Sequence, residues 1–389
     1  MNGSASLIAG AVVLILCVVP SAPAVAGVGY GLVRVLDDSG QFASFDAPVV
    51  NQDGTMAFTA VLDSGVRGIY TVTPGGSVTA IAENTGAFNR FFSPTINSSG
   101  QVAFYANLDS GGNGVYLWDG TSVTTIADNS AAPFLGGYFG LAPWVNDSGT
   151  VAFGYSAIDG LIQSIHTRHS GGSVATIVES SGQFYMFSNP SINSAGRVAF
   201  WARLDDGAGA ERGIYAGSAG GPIQKIRGTD TFWSFPGLAN GYYPINDGND
   251  VAFYGSLDVT PDVYAIYVSD GGPLDTAVDT AGPFSQLLTY CMNDDGVVAF
   301  QAWLDAGGEG VFTGPDPVGD KVVAVGDTIA GTTVVNVWLS RQGINDSGQV
   351  VFSYSGSAGI VLGTPVPEPG IAAFLALSGL ALIRRRHRS

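Results

Sequence analysis

Few residues in this 389-residue chain combine the types and spacing that chemistry requires. His166, Arg168 and His169 sit together and are the only grouping that suggests imidazole ligands for a metal, but no cysteine cluster or third histidine completes a set. Asp205, Asp206 and Glu211 in one turn, and Asp294 with Asp295 in another, gather oxygens of the kind calcium prefers. Neither run has EF-hand spacing, and hairpin-turn chemistry accounts for both, so calcium rests on Asp205, Asp206 and Glu211 as weak candidates. Cys291 is isolated and reads as a small buried hydrophobe rather than a nucleophile. There is no G-x-S-x-G elbow and no phosphate-cradling loop, so no catalytic or cofactor-binding residue is assigned. The remaining candidates are aromatic. Trp144, Trp201, Trp233, Trp303 and Trp338 suit either a sugar-binding surface or packing between sheets, and core packing is the reading favoured for most of them. The run from Phe232 to Tyr243 is the best candidate for an exposed aromatic face.

Charge narrows the partners. The chain carries a net charge of −17, and four of its 15 basic residues lie in the last six positions. Without residues 365–389 the body holds 11 basic and 31 acidic residues. Such a surface repels phosphate backbones, which excludes nucleic acid as a partner.

The elements that must position these residues are repeated. Asn51-Gln52-Asp53-Gly54 followed by Ala57-Phe58 returns six times, with the asparagine at Asn97, Asn146, Asn193, Asn246, Asn293 and Asn345. The spacings are 46, 49, 47, 53, 47 and 52 residues. The glycine recurs at Gly100, Gly149, Gly196, Gly296 and Gly348, and Asn249 replaces it in the fifth copy. Asn caps its own backbone two residues on, and Gly supplies a positive φ, so the motif predicts a tight hairpin turn. A Val-Ala-Phe strand follows, apolar on both faces. Then come an Asp-Gly turn, a Gly-Ile-Tyr-type strand, a second tight turn, a Val-x-x-Ile-Ala strand and an aromatic link with a short strand before the next Asn. Four short strands in about 49 residues mark a propeller blade.

The ends of the array predict how it closes. Residues 31–37 match the Val-x-x-Ile-Ala strand, and the seventh copy stops before its own. The fold expected is therefore all-β, a seven-bladed β-propeller over 27–364 with three-plus-one closure, which removes the free sheet edge.

Both termini read as addresses. An apolar run from Leu7 to Val19 leads to small residues at Ala24 and Ala26, a secretory signal peptide over 1–26 with cleavage before Gly27. At the other end, 365–389 contains Val366-Pro367-Glu368-Pro369, fourteen uncharged residues over 370–383, and a basic end including Arg384, Arg385 and Arg386. The uncharged segment falls short of the ~17–25 residues of a permanent span and suits a short transmembrane sorting helix with its arginines in the cytoplasm.

This tail resembles the PEP-CTERM sorting signal of Gram-negative bacteria. The resemblance implies a transient stay in the inner membrane through 370–383, processing by an exosortase near Pro367-Glu368-Pro369, and release to the cell surface or extracellular matrix. The repeat resembles those of TolB-like and WD-type propellers, and more closely the tandem NxxGxxAF repeats of exported proteins with interchangeable anchoring tails. The expectation is an exported, non-catalytic binding or structural propeller associated with exopolysaccharide or a surface protein. The alternatives are a secreted glycan-active hydrolase or lyase and a matrix scaffold without a specific ligand.

Overall fold

The computed structural model describes residues 29–366, apart from 131, 158–162, 181–182, 205–210, 230–231, 235–240, 258–261 and 355–358. The 1–26 leader, Pro367-Glu368-Pro369, the 370–383 segment and Arg384, Arg385 and Arg386 lie outside the described residues. No helix among the described residues is long and apolar enough to cross a membrane.

The described elements are strands, and they form seven antiparallel blades. Blade 1 illustrates the pattern. Its innermost strand is broken into Phe42–Phe45 and Val49–Val50; Met56–Leu62, Arg67–Val72 and Thr79–Glu83 follow outward. The break has a local cause. Proline stands three residues before the motif Asn at Pro48, Pro94, Pro143 and Pro190, and it cannot donate to the ladder. In blade 2 the inner strand Phe88–Ile96 runs through, but its register shifts between Phe92 and Thr95. The Val-Ala-Phe strand stands second from the axis, because the short strand before each Asn takes the innermost place.

The motif also explains the core. Seven apolar clusters each join two neighbouring blades, and the last joins blade 7 to blade 1. Met56, Phe58 and Ala60 pack backward on Val351, Ile360 and Leu362 of blade 7, while Ala57 and Ile69 face forward to Phe104 of blade 2. A large ring on one face thus meets a small residue on its neighbour, as close packing requires. Within blades, rings from the first and third strands meet edge to face: Phe42 and Tyr70 at 5.3 Å, Phe88 and Tyr116 at 4.9 Å, Phe284 and Phe312 at 5.0 Å.

Closure follows the three-plus-one scheme. Tyr30–Asp37 pairs antiparallel with Gly359–Pro365 and becomes the outermost strand of blade 7. One element lies outside the repeat: a small hairpin of Thr328–Ile329 and Thr332–Thr333 between blades 6 and 7, where Ile329 joins the cluster between them.

Candidate functional site

The seven motif asparagines are buried and converge on the axis. Each side chain works in two directions. Its Oδ1 accepts from a backbone N–H four residues on, at 2.7–3.0 Å, in all seven turns; a bond two residues on, the spacing expected from sequence, is added at Asn51. Its Nδ2 donates to the next blade. Asn51 reaches Asn97 O, Asn97 reaches Asn146 O, Asn146 reaches Asn193 O and Asn193 reaches Asn246 O. Asn293 reaches Asn345 O, and Asn345 returns to Asn51 O at 3.0 Å. The collar loosens only at Asn246, which donates to Asp294 O at 3.4 Å. The turn glycines Gly54, Gly100, Gly149, Gly196, Gly296 and Gly348 have φ between 70° and 79°, and Asn249 has 73°. This is the left-handed region that asparagine tolerates best after glycine.

The residue after each Asn forms a second ring at this mouth. The Ser98 N–H donates to Asp147 Oδ1, Ser194 to Asp247, Asp247 to Asp294, Asp294 to Asp346 and Asp346 to Gln52 Oε1. Burial, with Asp346, Asp247 and Asp147 nearby, pushes the Asp294 carboxyl up to about 6. The mouth opens on a cavity of ≈ 90 Å³. No group of three or more His, Cys, Asp or Glu among the described residues is placed to hold a metal.

Further along the axis the channel is bridged. The inner strand of blade 7, Val337–Ile344, leaves register between Leu339 and Ile344 and turns its middle residues inward. Arg341, 4 % exposed, donates through Nη2 to Ser93 O of blade 2 and Pro143 O of blade 3, at 2.7 and 2.8 Å. Trp144 and Tyr242 flank its guanidinium at 5.4 and 4.8 Å. Burial lowers its pKa, and Tyr242 offsets part of that shift. Gln342 receives the Ile96 N–H and donates to Ile96 O. These side chains strut the ring from inside.

The opposite face differs in character. Strand direction puts the start of each innermost strand and the end of each second strand there. Four aromatic side chains reach solvent at these ends: Tyr138 (46 %), Tyr185 (47 %), Trp303 (44 %) and Trp338 (39 %). They belong to blades 3, 4, 6 and 7. Trp303 and Trp338 flank a fixed bracket, in which Gln301 Nε2 donates to Val337 O and Glu309 Oε1 accepts from Val337 N. On the same face a cleft of ≈ 430 Å³ separates blades 1 and 2, lined by Asp46, Thr59, Arg67, Arg90 and Phe92.

Several sequence expectations change. Trp303 and Trp338 are solvent-facing, whereas Trp144 is buried beside Arg341. Of the Phe232 to Tyr243 run, Phe232 packs against Phe253 and Tyr243 is buried, while 235–240 lie outside the described residues. Among the described residues, His166 does not line a metal site. It is buried in the third strand of blade 3, with Nε2 and Nδ1 facing Ser164 Oγ and Thr176 Oγ1. His169 is exposed and its Nδ1 meets Ser170 O, so the two imidazoles do not converge. Burial pushes the Cys291 thiol up to about 12, which keeps it protonated. Of the calcium candidates, Asp205 and Asp206 lie outside the described residues and Glu211 pairs with Lys225. Sequence reasoning missed Arg67, Arg90 and Arg341. For Arg341 the signal was there, since Gln342 breaks the proline position of the earlier repeats and brings a basic residue beside it.

Known proteins add a family but no activity. No curated protein matches the chain. Among solved structures it is similar to an uncharacterized protein from Listeria monocytogenes EGD-e, at 10% identity and a TM-score of 0.43, over 81% of this chain and 90% of that one. A TolB from Agrobacterium tumefaciens has 16% identity and a TM-score of 0.39, over 60% and 80%. Aleuria aurantia lectin, in complex with alpha-methyl-L-fucoside, has 10% identity and a TM-score of 0.40, over 85% and 99%. Superpositions this loose carry no argument about function, and the seven blades are counted from the strand pairing of this chain itself. A family model matches residues 31–160 and 84–364, and on that match the chain belongs to the family of unknown function DUF7453.

Proposed function

We propose that this protein is an exported, non-catalytic propeller that binds polysaccharide at the cell surface or in the extracellular matrix, through the face opposite the asparagine collar. The observation that carries this reading is the exposure of Tyr138, Tyr185, Trp303 and Trp338, from four blades, on that one face. A ring held on a strand end offers a rigid apolar plane with little entropy to lose, and the C–H face of a sugar is its complement. Several such planes on one scaffold suit a polymer, because weak contacts made by one chain of sugars multiply into avidity. Purified protein on an array of extracellular polysaccharides is expected to bind, with Trp303→Ala and Trp338→Ala each weakening binding about tenfold at unchanged thermal midpoint. No binding, or release of new reducing ends, overturns the reading.

The same proposal takes the termini as addresses: a leader removed before Gly27, a transient inner-membrane hold through 370–383, and an exosortase cut near Pro367-Glu368-Pro369. The closing strand supports it. Val366 N donates to Gly29 O at 2.8 Å, so the two ends of the described chain lie side by side, and both processing points are only a few residues beyond them in sequence. The intact mass of the secreted protein tests this, and retention of Arg384 to Ser389 overturns it.

A further inference from the structure

We propose that the cleft between blades 1 and 2 is a subsite for a carboxylate-bearing sugar, a uronic acid residue of an anionic polysaccharide. The inference rests on the polysaccharide-binding reading and assigns a charge preference to it. Arg67, at the start of the third strand of blade 1, and Arg90, in the inner strand of blade 2, line the same cleft from opposite walls. Both are exposed, and neither has an ion-pair partner among the described residues. The acid in the cleft, Asp46, accepts from the Thr59 hydroxyl and forms no ion pair with either arginine among the described residues. Arg90 lies over the Phe92 ring at 4.7 Å, which fixes the guanidinium plane beside an apolar one. A guanidinium fork matches a carboxylate in two parallel hydrogen bonds, and the ring beneath suits the sugar that carries it. The volume of ≈ 430 Å³ falls within the ~300–1,000 Å³ of small-molecule sites.

The repeat sharpens the argument. The scaffold is sevenfold, but these side chains are not. By strand pairing, Ser44, Met186, Gln286 and Asn336 hold the place of Arg90 in blades 1, 4, 6 and 7, and Asp46, Ser188, Leu288 and Trp338 hold that of Phe92. Asn113, Tyr264 and Glu309 hold the place of Arg67 in blades 2, 5 and 6; blade 4 repeats the arginine as Arg212, but the next blade has Ser234 at the place of Arg90, so the pair is not repeated there. Nothing in blade architecture therefore requires two arginines and a ring here. The body is strongly acidic overall, yet at physiological salt charges beyond about 8 Å are largely screened, so the local pair decides what binds.

The test compares trigalacturonate with its methyl ester, which keeps the sugar rings and removes the charges, by calorimetry on the full chain. The acid is expected to bind at least tenfold more tightly than the ester. Arg67→Gln and Arg90→Gln should each remove most of that preference without moving the thermal midpoint, and Arg90→Lys should keep part of it. Trp303→Ala and Trp338→Ala should weaken acid and ester alike. Equal binding of acid and ester, sensitive to the tryptophans, overturns the subsite and leaves the polysaccharide reading standing. A preference that survives both arginine substitutions also overturns it. An arginine-dependent preference that ignores the tryptophans supports the subsite and sinks the aromatic face. Binding of neither ligand overturns both. Should Arg90→Gln fail to fold, Arg67→Gln and Arg90→Lys still decide the matter.

Discussion

At the scale of single residues, His166 shows how a departure from the repeat carries its own physical logic. Blades 1, 2, 4 and 5 put Tyr70, Tyr116, Tyr215 and Tyr267 at this place in the third strand, and blades 6 and 7 put Phe312 and Val361. The tyrosine ring lies over the residue two positions earlier, and at Gly68 a Cβ would come within 2.9 Å of Tyr70 Cζ. Blade 3 has Ser164 there, and the shorter imidazole bonds the serine hydroxyl at 2.8 Å; Ala265 before Tyr267 in blade 5 is the other departure from glycine at this place. His166 still fills the aromatic slot, 5.2 Å from Phe134 and 5.7 Å from Phe153. Burial pushes its pKa down to about 4, with Glu179 opposing. The sign follows directly. Unfolded chains take up this proton near pH 6.5, and folded ones refuse it until about pH 4. The contribution is present above pH 6.5 and is lost as pH falls to 4, an upper bound of about 3 kcal/mol. Asp294 runs the other way: with its carboxyl raised to about 6, its contribution is full below the unfolded value and fades as pH rises toward 6. The double variant Ser164→Gly/His166→Tyr restores the repeat and deletes the first effect. Calorimetric midpoints at pH 7 and 4.5 should then show the variant losing less stability on acidification than the parent. Parallel profiles would refute the role given to His166.

At the scale of elements, what was legible in the sequence was whatever the repeat writes seven times. Strand order, blade boundaries and closing strand follow from periodicity and turn chemistry, because each blade meets the same constraints: a left-handed turn residue, a ring facing one neighbour and an alanine facing the other. The asparagine was legible only in half its role. Its local bond to the turn is a property of the motif, but its Nδ2 bond to the next blade needs the curvature of the whole ring, which no single repeat contains. The candidate site was less legible for the opposite reason. Trp303 and Trp144 look alike in sequence, but Trp303 ends a second strand on the open face while Trp144 stands in the channel beside Arg341. Arg67 and Arg90 are 23 residues apart and in different repeats, so nothing local announces that they share a cleft. The Phe232 to Tyr243 run loses the periodicity of the repeat, and its described residues Phe232 and Tyr243 are buried. In that blade Tyr243 replaces the usual proline, and the chain follows the channel wall, where Ser191 Oγ and Tyr290 Oη donate to the Tyr243 and Tyr242 carbonyls.

At the scale of the molecule, the collar and the closing strand do different jobs, and the difference is testable. The collar links neighbours around the axis, and its closing bond, Asn345 to Asn51, joins blade 7 directly to blade 1. The Tyr30–Asp37 strand closes the rim of blade 7, pairing from Tyr30 with Pro365 to Asp37 with Gly359 and setting Val35 and Leu36 against the cluster shared with blade 1. That strand is synthesised first, yet its partner, Gly359–Pro365, comes more than 300 residues later, so closure must wait for the last blade. Deleting residues 30–37 should therefore leave blades 2 to 5 folded, since among the described residues their apolar clusters are shared only with neighbours in sequence and blade 7 reaches them only through the Arg341 and Gln342 struts. Blade 7 should loosen by at least about 3 kcal/mol from lost apolar burial and ladder bonds. In hydrogen exchange, the amides of the Gly359–Pro365 strand should lose protection first, while those of Val102–Leu108 and Val198–Leu204 keep it. The bared edge should also make the variant self-associate with rising concentration, and a synthetic peptide of residues 30–37 should suppress that association and restore protection. If every blade lost protection together, stability would belong to the ring as one cooperative unit, and the collar could not hold an open array. If none did, the strand would be an appendage and the ring would be closed by its axis alone.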